Sequence, residues 1–444
     1  MSDNNKQNIF SRVVKTVSQV EPNEIKATVV SFLFVFVIMA AYYILRPVRD
    51  AMASDWTDAE VSFLWELNFY ISIVLVSLYG YVVSRVKFNH LVPGVYGFFG
   101  ISFAMFFFAV SFIGDRTLVD KTFYVWVSVF SLFHLSVFWS FMADTYNKEQ
   151  AKRLFAIIAA GASAGALLGP ALPTLFAGIL GNDTLMLIAA VMMLIPMPLI
   201  FYLAKLKYSE LHNADVHADL STARIGGNPF IGFKQFFTSK YLFAIAVFIF
   251  LYTMIGSFVY FEQKNLLEPF ERAERTRLLG LVDWLTNIVT FAVAFFMTGR
   301  IVQKFGMGIT LAMLPVFVVL GMLILALAPI VVVVLALQVA RRGGNYAITR
   351  PAREMLFTEV DRETRFKAKP VIDVVIYRGG DWLSSELFAW LSEGIGLTLG
   401  IIAAIGAGIS VIWAAVGLFL GKLYNRERDE NAGESVSDAK PVTS

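Results

Sequence analysis

The stretch AAYYILRPVRDAMASD, residues 40–55, sets two arginines and an aspartate directly behind a long apolar run. On a helix Arg46 and Arg49 are i,i+3 and Arg46 and Asp50 are i,i+4, so the three share a face. A guanidinium held beside a carboxylate is preorganised to grip phosphate or carboxylate through two parallel hydrogen bonds. At a membrane boundary the same residues have a plainer use, snorkelling to the headgroups. Pro47 removes a backbone donor between them and is expected to kink the helix end.

Other ionisable residues stand within or at the ends of apolar runs. Each costs roughly 2.5–3.5 kcal/mol to insert, which makes it a functional candidate by default. They are Glu66, Asp144, Glu262, Asp283, Asp373, Arg378, Asp381 and Glu386. Arg378 and Asp381 are i,i+3 around Gly379 and Gly380, which permits either a bundle-holding ion pair or close approach of a ligand. Glu66 and Asp283 read as an interior structural pair or as groups that handle substrate or protons. The four histidines are scattered, cysteine is absent and no nucleophile–base set is visible. The chain therefore reads as a non-enzyme with no metal site and no cofactor.

The elements that carry these residues follow from composition. Hydrophobic residues make up 57% of the 444 residues and charged ones 16%, with a mean hydropathy of +0.66. A soluble domain would hold about 45–50% and about 25%. The apolar residues fall in blocks of about 20, the length a helix needs to cross the bilayer. The expectation is an all-α polytopic membrane protein with about twelve transmembrane helices in two six-helix bundles. Its parts would be a cytoplasmic segment 1–24, a bundle 25–204, a central cytoplasmic loop 205–240, a second bundle 241–424 and a disordered tail 425–444. The tenth span, IVVVVLALQVA, is short, so its helix must run on through RRGGNYAITR or lie partly within protein. GASAGALLGP, residues 161–170, reads as small-residue helix packing.

Basic residues set the orientation. Lys6, Lys26, Lys148, Lys152, Lys304 and the cluster from Arg341 to Lys369 fall on one side, which places both termini in the cytoplasm. Arg46, Arg49 and Arg378 fall on the other, against that bias. No cleavable signal or long transit peptide is visible, which points to a bacterial inner membrane. The net charge of +3 sits in short loops, so the expected partners are the lipid bilayer and a small anion, not nucleic acid. Oligomeric state is open, a monomer being compatible with all of this.

The halves carry a weak repeat. Gly80, Ser84 and Arg85 match Gly299, Gln303 and Lys304 in spacing. Asp144, Lys152 and Gly165 line up with Glu359, Lys367 and Gly380 at one constant offset. Six plus six spans about a central loop is the arrangement of the major facilitator fold.

Three stretches resemble the nucleotide transporter family, the ATP/ADP translocases of plastids and obligate intracellular bacteria. They are YYILRPVRDAMA, FWSFMADTYNKEQAKRLFAIIAAGASAGALLGP and NYAITRPAREMLFTEVDRETRFKAKPVIDVV. The resemblance implies a facilitator-like fold of twelve spans and exchange of ATP for ADP, or nucleotide import. It places Arg49 at the family's first-span lysine and Asp144 at its fourth-span acid. Glu262 stands at a seventh-span acid, and Lys367, Lys369 and Asp373 stand in its Lys-x-Lys-x-x-Ile-Asp motif. Pro47 replaces a family aspartate, and Gly380-Asp381-Trp382 stands where the family has Gly-Lys-Ser-Gly.

The leading expectation is an alternating-access exchanger of nucleotides or another phosphorylated anion. Arg46, Arg49 and Arg378 would bind substrate. Asp50, Asp144, Lys152, Glu262, Glu359, Lys367, Lys369, Asp373 and Asp381 would gate or couple. The alternatives are proton-coupled transport of a different organic anion or amphiphile, using Glu66, Asp283 or Asp381, and a non-transporting membrane scaffold.

Overall fold

A computed structural model describes residues 20–83, 88–213, 215–216, 239–296, 298–360 and 371–438. Among them every regular element is helical. In chain order these are α1 (Ile25–Ala53), α2 (Asp58–Val83), α3 (Phe88–Phe112), α4 (Arg116–Thr145), α5 (Lys148–Leu168), α6 (Ala171–Leu194) and α7 (Pro196–Ser209). Then follow α8 (Lys240–Leu267), α9 (Arg272–Phe296), α10 (Thr298–Leu327), α11 (Val331–Gly344), α12 (Arg350–Leu356), α13 (Tyr377–Ala389) and α14 (Leu399–Asp438). Among the described residues, eight stretches are long and apolar enough to cross a membrane. Their outer faces carry bare apolar side chains such as Phe112, Ile179 and Leu327, each more than 80% exposed, as lipid contact requires.

Local sequence explains the boundaries. Asp115 caps α4 by accepting from the backbone N–H of Thr117 and Leu118. Asn147 and Gln150 form a reciprocal capping box that starts α5 three residues after Asp144. Inside α6 and α10 the backbone leaves helical geometry at Gly181 (φ 73°, ψ 164°) and Gly306 (φ 75°, ψ 169°), a region open essentially to glycine alone. Gly396 also has a positive φ of 76°. Gly181 and Gly396 are separated by the same interval that relates Asp144 to Glu359, which extends the repeat from residue type to backbone conformation.

Two compact units are defined by contacts. The first comprises residues 1–52, 74–224 and 272–284, and the second residues 53–73, 225–271 and 285–444. In the first, Phe34 meets Tyr96, Phe138 and Phe141 edge-on at 5.1–6.4 Å between ring centres. The small-residue run behaves as expected, because Gly161, Gly165 and Gly169 let α5 and its end lie directly on the α1 backbone. A Cβ on Gly165 would collide with the Phe36 carbonyl oxygen. Gly165→Ala should therefore cost about 1–3 kcal/mol through overpacking against immovable backbone. Gly178→Ala, with nothing within 4 Å of the new methyl, should be neutral or stabilising by up to about 1 kcal/mol. Thermal unfolding in detergent checks both, and equal melting of the two variants would refute the assignment.

In the second unit Phe258, Phe261 and Phe388 pack at 5.0–5.4 Å, and Phe248 meets Trp413 at 5.6 Å. Helix α11 does run on. It passes into a π-helical turn, Asn345–Thr349, and then into α12, where Pro351 cannot donate a backbone hydrogen bond. Two further π turns, Val371–Ile376 and Trp390–Gly394, flank α13. The tail differs from expectation: α14 continues to Asp438, with Arg426 donating to Glu430 at 2.7 Å one turn on.

Candidate functional site

In the first unit α1 presents Arg46, Arg49 and Asp50 to the protein interior. Their side chains are 20%, 13% and 11% exposed, so protein and not headgroup surrounds them. Arg49 donates from Nε and Nη2 to Asp50 Oδ1 at 2.9 and 2.6 Å, and from Nη1 to Ser128 Oγ on α4 at 3.1 Å. Its guanidinium carbon lies 5.3 Å from the Tyr124 ring centre, a cation–π distance. Arg46 stands 3.7 Å from Asp50 and 3.6 Å from Asp283 of α9. Helix α1 continues past Pro47 to Ala53, so Arg46, Arg49 and Asp50 hang from one helix.

Asp144 is buried and accepts from Lys207 of α7 at 2.8 Å, a partner the sequence reading did not single out, while Lys152 is exposed on α5. Arg153 holds Glu24 at 2.8 Å near the start of α1. Asp120 of α4 takes Arg272 at 2.7 Å.

The second unit holds a separate buried network. Asp58, 3% exposed, accepts from Lys264 Nζ at 2.7 Å, from Asn265 at 3.1 Å and from Ser392 Oγ at 2.7 Å. Glu393 accepts from the Asp58 backbone N–H. Glu262 lies within electrostatic reach of Asp58, fully buried, and neither of its oxygens has a hydrogen-bond partner among the described residues. Glu66 is half-buried, and exposed Glu386 accepts from Ser62 at 3.0 Å.

Arg378 and Asp381 occupy α13 in electrostatic contact, with Arg341 acting on Asp381 as well. Arg341, Arg342 and Arg353, which the sequence reading counted only towards orientation, are 5–7% exposed. Arg353 bonds the Tyr377 hydroxyl and lies 5.3 Å over its ring. A net arginine count within one apolar segment could have flagged them. Glu359 ends the 3₁₀ turn Phe357–Glu359, half-exposed. Asp373 lies in the π turn Val371–Ile376, and Lys367 and Lys369 fall outside the described residues, as do Ser84 and Arg85 of the repeat. A cavity of about 360 Å³ beside Gly379 and Gly380 is lined by Phe69, Phe250, Trp382 and other apolar groups, so it holds no charge for an anion.

The Major Facilitator Superfamily profile matches residues 31–360. The chain belongs to that superfamily. This major facilitator chain is 22% identical over 492 residues to "ADP,ATP carrier protein 1" of Chlamydia pneumoniae, with 94% of each chain covered. It is 21% identical over 510 residues to "ADP,ATP carrier protein 1" of Chlamydia muridarum (strain MoPn / Nigg), covering 98% of this chain and 96% of that one. The likeness read from three motifs thus extends along nearly the whole length. Among solved structures, the nucleoside transporter NupG superposes with a TM-score of 0.59 at 14% identity, covering 90% of this chain and 99% of that one. A bacterial homologue of the human lysosomal transporter Spinster, inward-facing and unoccupied, superposes with a TM-score of 0.58 at 14% identity, covering 92% and 99%. These two share the fold with the major facilitator chain. Family and fold are those of an integral membrane transporter.

Proposed function

We propose that this major facilitator protein is a secondary active transporter that exchanges nucleotides, of the ATP/ADP type, or another phosphorylated anion by alternating access. The observation that carries the reading is the Arg46–Arg49 pair, half-buried on a membrane-spanning helix and braced by Asp50, Ser128, Tyr124 and Asp283. Guanidinium forks held in place bind phosphoryl oxygens without reordering, which suits capture of a multiply charged solute. The chlamydial relatives are named ADP,ATP carriers, which supports the same substrate class. In this reading the breaks at Gly181 and Gly306 divide the helical stretches into twelve spans in two six-helix bundles. Both termini are cytoplasmic and the membrane is the bacterial inner membrane. Asp144, with Lys207, and Glu359 are the repeat-related groups that gate the cytoplasmic side, and Arg378 is a substrate-binding cation of the second unit.

Exchange of labelled ATP, ADP and simple organic phosphates in proteoliposomes tests the proposal. Uptake that depends on an internal phosphorylated counter-substrate is expected. Folded protein that moves no phosphorylated compound would sink it. One observation favours a second reading, proton-coupled transport of another organic anion: Glu262 is buried without a bonded partner, the condition in which a carboxyl can take and release a proton as its surroundings change. Uptake driven by an imposed pH gradient without counter-substrate would favour it.

A further inference from the structure

Most buried cations in this chain with described partners are matched to carboxylates: Lys207 to Asp144, Lys264 to Asp58, Arg49 to Asp50 and Arg46 to Asp283. Arg341 differs. It is 5% exposed on α11, and both Nε and Nη2 donate to the same neutral acceptor, Gln338 Oε1, at 3.2 and 2.6 Å. Its other close companion is a phenol, since the guanidinium carbon lies 5.8 Å from the Tyr252 ring centre. Asp381 acts on it only across electrostatic range. Taking a guanidinium out of water costs several kcal/mol even after relaxation, and amide and phenol dipoles offset only part of that. A fold that keeps such a group has a use for an incoming anion.

The surroundings are shaped for one. Nη1 lies close against Gly256 of α8, where a Cβ would stand only 3.2 Å away, so the glycine lets that donor sit there without crowding. Tyr252, one helical turn before Gly256, lies in the field of Arg341, Arg342 and Arg353 together. Just after Arg341 and Arg342, and before Arg353, the helix widens into the π turn Asn345–Thr349, a distortion frequent where backbone is bent to serve a site.

We propose that Arg341 is the centre of a phosphoryl-binding subsite within the second unit, with Tyr252 as its hydroxyl donor and Gly256 as the residue whose missing side chain leaves Nη1 free to turn towards the anion. The ligand is the phosphoryl end of a soluble phosphorylated compound. A phosphoryl group offers several oxygens and up to two charges, which suits a guanidinium fork with a phenol beside it better than a single carboxylate would. The proposal rests on the phosphorylated-anion reading above and assigns it a second set of contacts, independent of Arg46 and Arg49.

The test uses full-length protein purified in lipid-free detergent and follows thermal unfolding against inorganic pyrophosphate, ATP or micellar phosphatidylglycerol. Pyrophosphate and ATP should stabilise the wild type saturably. Arg341→Gln should weaken both by at least about 30-fold, the scale for removing one partner of a buried charged contact. Arg341→Lys should restore part of the loss, since charge returns without the fork. Gly256→Ala keeps Arg341 but crowds its Nη1 at 3.2 Å. It should weaken the anions while leaving the unliganded melting temperature near wild type, so the proposal stays testable even if Arg341→Gln fails to fold. Anion binding equal to wild type in Gly256→Ala, stabilisation by phosphatidylglycerol alone, or no response to any phosphoryl compound overturns the subsite. Unaltered nucleotide exchange by Arg341→Gln also overturns it and leaves the proposed function standing. Pyrophosphate binding that needs Arg341, without nucleotide exchange, upholds the subsite and removes nucleotide as the cargo.

Discussion

Arg49→Ala should lower nucleotide exchange in proteoliposomes by at least about 100-fold at equal protein, the scale of losing two or more charge-assisted contacts of about 1.5–3 kcal/mol each. The reasoning is geometric. Arg49 is locked by three hydrogen bonds, two to Asp50 and one to Ser128, with Tyr124 beneath it. Its position is therefore decided before any substrate arrives. Removing it deletes the positive charge and leaves the Asp50 carboxylate facing Arg46 alone at 3.7 Å, which would turn the site towards repelling anions. Arg49→Lys keeps the charge but loses the fork, and a single ammonium cannot hold Asp50 and Ser128 together. An intermediate loss of about 10-fold is expected. Pairing Arg49→Ala with Asp50→Asn should recover folding without recovering exchange. Wild-type exchange rates in Arg49→Ala would show that the arginine only braces the helix.

Lys264→Met should lower stability by about 3–5 kcal/mol, the usual cost of orphaning one member of a buried ion pair. Asp58 would keep Asn265 and Ser392 as donors but lose its cation while Glu262 stays close by. The double variant Lys264→Met with Asp58→Asn removes both charges and should return most of the loss, because the pair itself is worth little beyond its own desolvation. A thermal double-mutant cycle in detergent reads the coupling directly, and additive losses would show that the two side chains do not depend on each other. The same cycle separates structure from transport. If the network also couples protons through Glu262, Glu262→Gln should change the pH dependence of uptake while leaving the melting temperature nearly unchanged.

Much of this architecture could be read from residue order. Apolar blocks of span length, capping residues such as Asn147 with Gln150, and the glycines of residues 161–170 are local signals, and each led to the helix or helix contact observed. The i,i+3 and i,i+4 spacing of Arg46, Arg49 and Asp50 placed them on one face, and one buried cluster contains all three. From Arg426 onward low hydropathy gave an expectation of disorder, whereas α14 is helical to Asp438 and carries the i,i+4 pair Arg426–Glu430, because hydropathy says nothing about helix propensity.

What hydropathy could not resolve was which charge meets which. Arg341 and Arg342 follow a short apolar run and look like membrane-end punctuation, yet both are buried. Lys152 is near Asp144 in sequence, yet Lys207, 63 residues away, is the lysine that bonds it. Asp58 and Lys264 are 206 residues apart and Arg49 and Ser128 are 79 apart, and no periodicity links such pairs. By itself the sequence determined that the chain is a bundle of membrane helices carrying more interior charge than a passive span tolerates. Only the tertiary structure decided which cations are paired with carboxylates and that, among the described residues, Arg341 has a neutral amide as its hydrogen-bond acceptor and a phenol ring beside it. The physical reason is range: helix formation and membrane insertion depend on neighbours within about one turn to one span, as the i,i+4 spacing and the roughly 20-residue window express. Charge pairing instead depends on which distant helices the packing of glycines and aromatic rings brings within about 4 Å.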